Sequence, residues 1–227
     1  VTVQQPTGFY LSFGGLDVDE DTNNSDSNCL LDQSGLAKTA IFSLAEGTEP
    51  DLLIDGDATN SNLTADCGFY PTVSVGDFIW EDKNADGVQD AGESGLSGAV
   101  VTLTGADGIS AVTDATGKAV SSVTTGIDGK YQFTNLIPGT YSVNVKPTAG
   151  YHLSPGGADP DNNISNADSN CKAVEGGFQT LSFKLMSLDG KTGLTNNSVD
   201  CGFYRSVGLG SRLWVDIDGD GKQDVGE

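Results

Sequence analysis

The chain has 227 residues, room for one large domain or two modest ones. Its 11 Lys+Arg stand against 32 Asp+Glu, a formal net charge of −21, and such a surface repels nucleic-acid phosphates and anionic lipid headgroups alike. A single histidine, His152, rules out an ordinary Ser–His–Asp triad, and no apolar run approaches the length of a membrane span. Of the acids, 25 are Asp and 7 are Glu, beside 31 Gly. Asp suits turns and is a favoured ligand of hard cations, so the balance reads as short strands, many turns and few helices.

Taken in chain order, residues 1–72 hold an acidic stretch with Asp17, Asp19, Asp21 and Asp26, then Ser27-Asn28-Cys29, and end in Cys67-Gly68-Phe69-Tyr70. Each piece recurs. Cys201-Gly202-Phe203-Tyr204 repeats the last at a separation of 134, and Asp168-Ser169-Asn170-Cys171 repeats Asp26-Ser27-Asn28-Cys29 at 142. Residues 1–72 therefore read as the back half of one repeat, 73–206 as a complete repeat and 207–227 as the opening of a third. A chain that starts and stops inside repeats is expected to be an excerpt from a longer tandem array.

The complete repeat opens with a strand over 75–80, alternating large apolar residues up to Trp80. Next comes Asp82-Lys83-Asn84-Ala85-Asp86-Gly87-Val88-Gln89-Asp90-Ala91-Gly92-Glu93, which satisfies D-x-[DN]-x-[DN]-G-x₅-E at every specified position. Calcium takes six to eight oxygens, and this spacing provides them. Asp82, Asn84 and Asp86 converge on the ion, Gly87 makes the sharp turn, and the Val88 carbonyl joins. Asp90 acts directly or through water, and Glu93 closes the shell. The loop follows a strand rather than a helix, and with no His, nucleophile or phosphate-binding glycine loop beside it the predicted role of Ca2+ is structural.

A second strand is predicted over 98–104. Asp128-Gly129 and Pro138-Gly139 flank runs in which Tyr131/Phe133 and Tyr141/Val143/Val145 alternate with polar residues, the pattern of a hairpin with one buried face. Further strands are predicted over 178–185 and 198–204. The fold class is all-β, an antiparallel β-sandwich per repeat.

The stretches VGDFIWEDKNADGVQDAGESGLSGAVVTL and DGKYQFTNLIPGTYSVNV resemble the B-type repeat of serine–aspartate repeat surface proteins, within the Cna-B-like group of immunoglobulin-like sandwiches. The resemblance covers nearly all of 73–145 and extends more loosely to Tyr204. It implies a calcium-stiffened stalk module of a secreted or cell-surface bacterial protein. The paired cysteines depart from the family pattern.

Asp159, Asp161, Asn163 and Asp168 align with Asp17, Asp19, Asp21 and Asp26. Their alternation is open to two readings, a further cation site or an Asx-rich loop satisfying its own backbone. Cys29/Cys67 and Cys171/Cys201 form in-register pairs, so disulfides within each repeat are the economical connectivity of three, each stabilising by about 3–4 kcal/mol if unstrained. Their oxidation implies an extracellular location, and the absence of CxxC spacing disfavours a zinc site. The third repeat opens with a second full match to the calcium pattern, in which Asp216, Asp218, Asp220, Lys222, Asp224 and Glu227 take the ligand positions.

The residues thus point to a non-enzymatic, calcium-binding repeat of an extracellular adhesin, stalk or fibre. Its expected partners are neighbouring repeats of the same protein, with a homopolymeric filament as an extension. Two other readings are a ligand-binding adhesin module for a host or cell-surface molecule, and an accessory domain of a secreted enzyme. The 156–176 segment is mostly Asp, Asn, Gly and Ser, which argues against the first of these.

Overall fold

A computed structural model describes residues 1–13, 27–47, 65–156, 168–186, 194–210, 214–217, 219–223 and 225. The N-terminal part contributes β1 (Thr2–Gln4), β2 (Phe9–Leu11), β3 (Cys29–Leu31), β4 (Leu36–Thr39) and β5 (Phe69–Pro71). Only Thr72 separates β5 from β6 (Val73–Glu81). The chain continues through β7 (Ser94–Gly95), β8 (Val100–Gly105), β9 (Val123–Thr124), β10 (Lys130–Leu136), β11 (Gly139–Lys146) and β12 (Tyr151–Leu153). It ends in β13 (Cys171–Val174), β14 (Gly177–Thr180), β15 (Phe183–Leu185), β16 (Leu194–Asn196) and β17 (Cys201–Arg205). No helix occurs among the described residues.

The strands from β6 onward form two sheets. One runs β10-β6-β17-β12, with β7 and β16 also on β6; the other runs β13-β14-β11-β8-β9, with β15 beside β11. Valines, aromatics and leucines at alternate positions give each sheet an apolar face. The two faces meet in one core that fully buries Phe183, Phe203, Ile79 and Leu136, while Trp80, next to Ile79 on β6, is fully buried on the other face of its sheet, over Gly202. Side chains of this size contribute about 1.5–3 kcal/mol each on burial. Most pairings are antiparallel, but β6 pairs in parallel with β16 and β17, Ile79 lying opposite Cys201. First and last strands of the repeat thus lie side by side.

The predicted hairpin over 128–145 is an arch instead. β10 pairs with β6 and β11 with β8, in the opposite sheet. Asn135 takes φ 60° and the Tyr141 hydroxyl donates to the Ile137 carbonyl at 2.5 Å, so the chain turns across the sandwich. The alternation is identical for both arrangements, because both strands send their apolar residues into the same core. The stretch 178–185 likewise divides into β14 and β15, both paired with β11.

The N-terminal part repeats these pairings. Val3 lies opposite Ala37 as Val145 lies opposite Phe178, and Tyr10 opposite Tyr70 as His152 opposite Tyr204. The Val1 amine donates to Thr39 Oγ1 at 2.8 Å where the Val143 N–H donates to Thr180 Oγ1 at 3.0 Å. The turn between β3 and β4 is one residue longer than its counterpart, since Cys29 faces Thr39 while Cys171 faces Thr180.

Gly202 lets β17 lie directly on the buried indole, for a Cβ there would stand 2.6 Å from Trp80 Cζ2. Gly202→Ala is expected to lower stability by about 1–3 kcal/mol, the usual range for overpacking. Urea unfolding followed by tryptophan fluorescence checks this, and an unchanged midpoint would show that the indole can move.

Candidate metal centre

The loop after β6 is organised by its first residue. Asp82 is fully buried, and its N–H donates to the Phe203 carbonyl at 2.9 Å, anchoring the loop to β17. Its carboxylate accepts from the Ala85 N–H (2.6 Å) and the Gly87 N–H (2.9 Å). These bonds curl the backbone through φ 60° at Ala85 and φ 80° at Gly87. Gly87 cannot be replaced without movement, because a Cβ would fall 2.0 Å from the Pro155 carbonyl oxygen.

The other predicted ligands follow the same curl. Asp86 Oδ1 accepts from the Val88 N–H at 2.8 Å, and Asn84 Oδ1 accepts from the Asp86 N–H at 3.2 Å. The Asn84 amide donates to Asp86 Oδ2 and Asp90 Oδ2, both at 2.9 Å. Glu93 turns back over the loop, its two oxygens accepting from the N–H groups of Lys83 (2.7 Å) and Asp90 (3.1 Å). Among the described residues no three Asp, Glu, His or Cys side chains converge closely enough to form a metal-ligating group as they stand. Between the carboxylates of Asp86 and Asp90 stands the positively polarised Asn84 amide. The donor set is all hard oxygen and the partially positive group lies where acidic oxygens gather, an arrangement whose chemistry fits a hard divalent cation.

In the 216–227 loop the same bonds recur. Asp216 accepts from the N–H groups of Gly219 (2.7 Å) and Gly221 (3.0 Å), and Asp220 accepts from that of Lys222 (2.8 Å). Asp218, Asp224 and Glu227 lie outside the described residues, as do Asp17, Asp19, Asp21, Asp26, Asp159, Asp161 and Asn163. Asp168 is described, and it bridges Val88 at the apex of the first loop.

Both cystines form as paired in the sequence, Cys29–Cys67 and Cys171–Cys201. Beside each lies a hydrogen-bonded clasp whose role was not read from the sequence. Ser169 Oγ accepts from the Gly202 N–H (3.2 Å), Asn170 Oδ1 accepts from the Asp200 N–H (2.7 Å), and the Asn170 N–H donates to the Asp200 carbonyl (2.7 Å). The N-terminal copy repeats all three, with Ser27 to Gly68 at 3.1 Å and Asn28 to Asp66 at 2.8 and 2.7 Å. The signal was the recurrence of Ser-Asn-Cys itself.

Asp200 is the electrostatic outlier. Its side chain is fully buried, Oδ1 accepts from the Phe78 N–H at 2.9 Å, and Oδ2 has no hydrogen-bond partner among the described residues. Burial first, then the charge of Asp77, pushes its carboxyl up to about 9. Asp77 is itself raised by burial, against the pull of Lys130. The Tyr131 hydroxyl, donating to the Val199 carbonyl at 2.6 Å, is held far above its ordinary range by burial and by both carboxyls.

Comparison with known proteins settles what kind of module this is. The SdrD B-like domain model matches residues 73–203. The chain belongs to that family. Over 203 residues it is 36% identical to the serine-aspartate repeat-containing protein D of Staphylococcus aureus strain Newman, covering 86% of this chain and 13% of that protein. Over 186 residues it is 35% identical to protein F of Staphylococcus epidermidis, covering 80% and 9%. The chain thus spans only a small part of the length of either relative. Of the solved structures, the minor pilin GBS52 of Streptococcus agalactiae aligns with 67% of this chain and 55% of its own, at 15% identity and a TM-score of 0.36. Neither figure is high enough to carry a property of that pilin over to this chain. The family places the module outside the cell, on a bacterial surface, where two disulfides persist.

The buried acid has a measurable consequence. Its proton is held to about pH 9 when folded and to about pH 4 when unfolded. The stabilisation from that proton is therefore complete below about pH 4 and lost as pH rises through about 9. The melting temperature is expected to fall from pH 5 to 9, and the fall to be shallower in Asp200→Asn, which keeps the shape of the protonated acid. Asp77, raised in the same sense, leaves a residual slope. Parallel profiles for the two proteins would rule out Asp200 as the source.

Proposed function

We propose that the chain is a structural, non-enzymatic segment of a bacterial surface adhesin, stalk or fibre, whose repeats are stiffened by Ca2+. The observation that carries this reading is the position of the Asp82 loop at the distal end of β6, hydrogen-bonded to β17 just before the chain leaves the repeat. The loop begins only a few residues past the preceding repeat in sequence, yet the nine extended residues of β6 carry it about 30 Å away, toward the start of the following repeat. There Arg205 reaches back to Glu81 at 3.6 Å and covers the Tyr151 ring at 4.6 Å.

In this reading Asp82, Asn84, Asp86, Asp90, Glu93 and the Val88 carbonyl hold the ion. Bound calcium supplies the positive charge that lets clustered carboxylates approach one another. The chain's own groups do the rest. Asp82 fixes the turn, and Glu93 ties the end of the loop to its beginning, just before β7 pairs with the end of β6. By analogy Asp216, Asp218, Asp220, Asp224, Glu227 and the Lys222 carbonyl serve the next repeat. Residues 207–215 repeat β6, and Val207 and Leu209 are 95% and 102% exposed where Val73 and Val75 are 1% and 0%. In this reading the partners are neighbouring repeats of the same protein, with a homopolymeric filament as an extension.

Calorimetric titration of the chain with calcium is expected to show saturable binding, weakened in Asp82→Ala/Glu93→Ala. At a hundredfold excess over Kd the ion should add about 2.7 kcal/mol of stability. No binding at millimolar calcium would sink the reading. Small-angle scattering is the second check, with a shift to a more compact or more flexible ensemble expected on chelation. Curves unchanged by chelator would leave calcium without a stiffening role.

A further inference from the structure

We infer that the Ser169–Asn170–Cys171 clasp is the positioning element of the Asp82 loop, so that the Cys171–Cys201 cystine sets the loop's calcium affinity. This rests on the calcium reading of the loop and adds to it residues that touch no ion. Among the described residues, the contacts that hold the loop's first residue and apex to the rest of the repeat fall beside this cystine or on the segment it fastens, while β7 closes the loop's far end onto β6. The Gly87 carbonyl accepts from the Ser169 N–H at 3.1 Å, and Val88 bridges Asp168. Asp82 donates to Phe203, two residues beyond Cys201. Gly87 lies against the Pro155 carbonyl, and the adjoining Gly156 lies against Ser169, whose carbonyl oxygen would be 2.3 Å from a Cβ there.

The geometry at Val88 shows why this controls ligation. Two successive carbonyls leave the apex of the loop. That of Gly87 is committed to Ser169, and the next, that of Val88, is the one assigned to the ion. A peptide unit fixed on one side orients the carbonyl that follows it. If segment 168–170 slackens, the Val88 carbonyl and the buried Asp82 lose their fixed relation, and the ion must then organise the loop itself at a cost in affinity.

The N-terminal copy forms the same cystine and the same three clasp bonds between residues 27–29 and 66–68, and so provides an internal comparison. Because binding free energies are reciprocal, a cystine that tightens calcium binding must itself become harder to reduce, by the same factor, when calcium is bound.

The test compares the whole chain with Cys171→Ser/Cys201→Ser and, as an internal control, Cys29→Ser/Cys67→Ser. Calcium affinity is read by titration, and the reduction midpoint of each cystine by alkylation and mass spectrometry in dithiol buffers with and without calcium. Removing Cys171–Cys201 is expected to weaken binding at the 82–93 loop at least tenfold, and removing Cys29–Cys67 to change it less than twofold. Calcium should lower the Cys171–Cys201 midpoint by the matching tenfold, about 30 mV, and leave the other cystine unmoved. Ser169→Ala keeps both cystines and serves if the double variant is unfolded; it should weaken binding in the same sense. Equal affinity in the wild type and in a folded Cys171–Cys201 variant overturns the inference and leaves the calcium reading standing, as would unchanged affinity in Ser169→Ala. No calcium binding by the wild type removes the calcium reading itself.

Discussion

The repeat depends on the parallel seam between β6 and β17. It joins the first strand to the last, so nothing local holds it, and the loop-closure entropy of more than a hundred residues must be met before it forms. What stabilises it is concentrated within a few residues. Trp80 and Phe203 are buried on either side, Cys201 carries the inter-sheet cystine, and Asp200 accepts the Phe78 N–H across the seam. The Asp82 loop grows from the same place, its first N–H already bound to β17. Core, cystine and cation loop are three attachments to one junction.

Charge works against compactness everywhere else. A net charge of −21 on this length of chain raises the cost of bringing acidic loops together. Turn carboxylates meet that cost one by one by accepting backbone N–H groups, as Asp107 does from Ile109 and Ser110, and Asp114 from Thr116 and Lys118. Asp200 takes the other course and keeps its proton. A neutral acid at the seam avoids the penalty of a buried charge, though its second oxygen goes without a hydrogen-bond partner among the described residues.

Features that depend on near neighbours could be read from the residues. The curl of the Asp82 loop needs only donors within five positions of the aspartate, so a spacing rule captured it, and the Asp216 loop repeats it. The cystines were legible because the copies mark one another. Pairing was not, since period-two alternation says which residues face inward and nothing about which sheet receives the strand; the 128–145 arch has the pattern of a hairpin for that reason. The role of Ser169 and Asn170 was not legible because Ser and Asn are ordinary turn formers, and their burial comes from a segment some thirty residues away. The strand pairings of the structure supply the architecture that local patterns left open.

The side-by-side placement of β6 and β17 also decides how the module meets force. A pull on the chain enters a repeat at Val73 and leaves near Arg205, the opposite extremities of two neighbouring strands that run in the same direction. Such a load slides one strand along the other and strains their hydrogen bonds together, rather than peeling them open singly from one end. The Cys171–Cys201 cystine adds a hard stop, because the residues between its two halves cannot be drawn out while it remains closed. A module joined in this way resists shear at its strongest seam and limits its own extension when that seam yields.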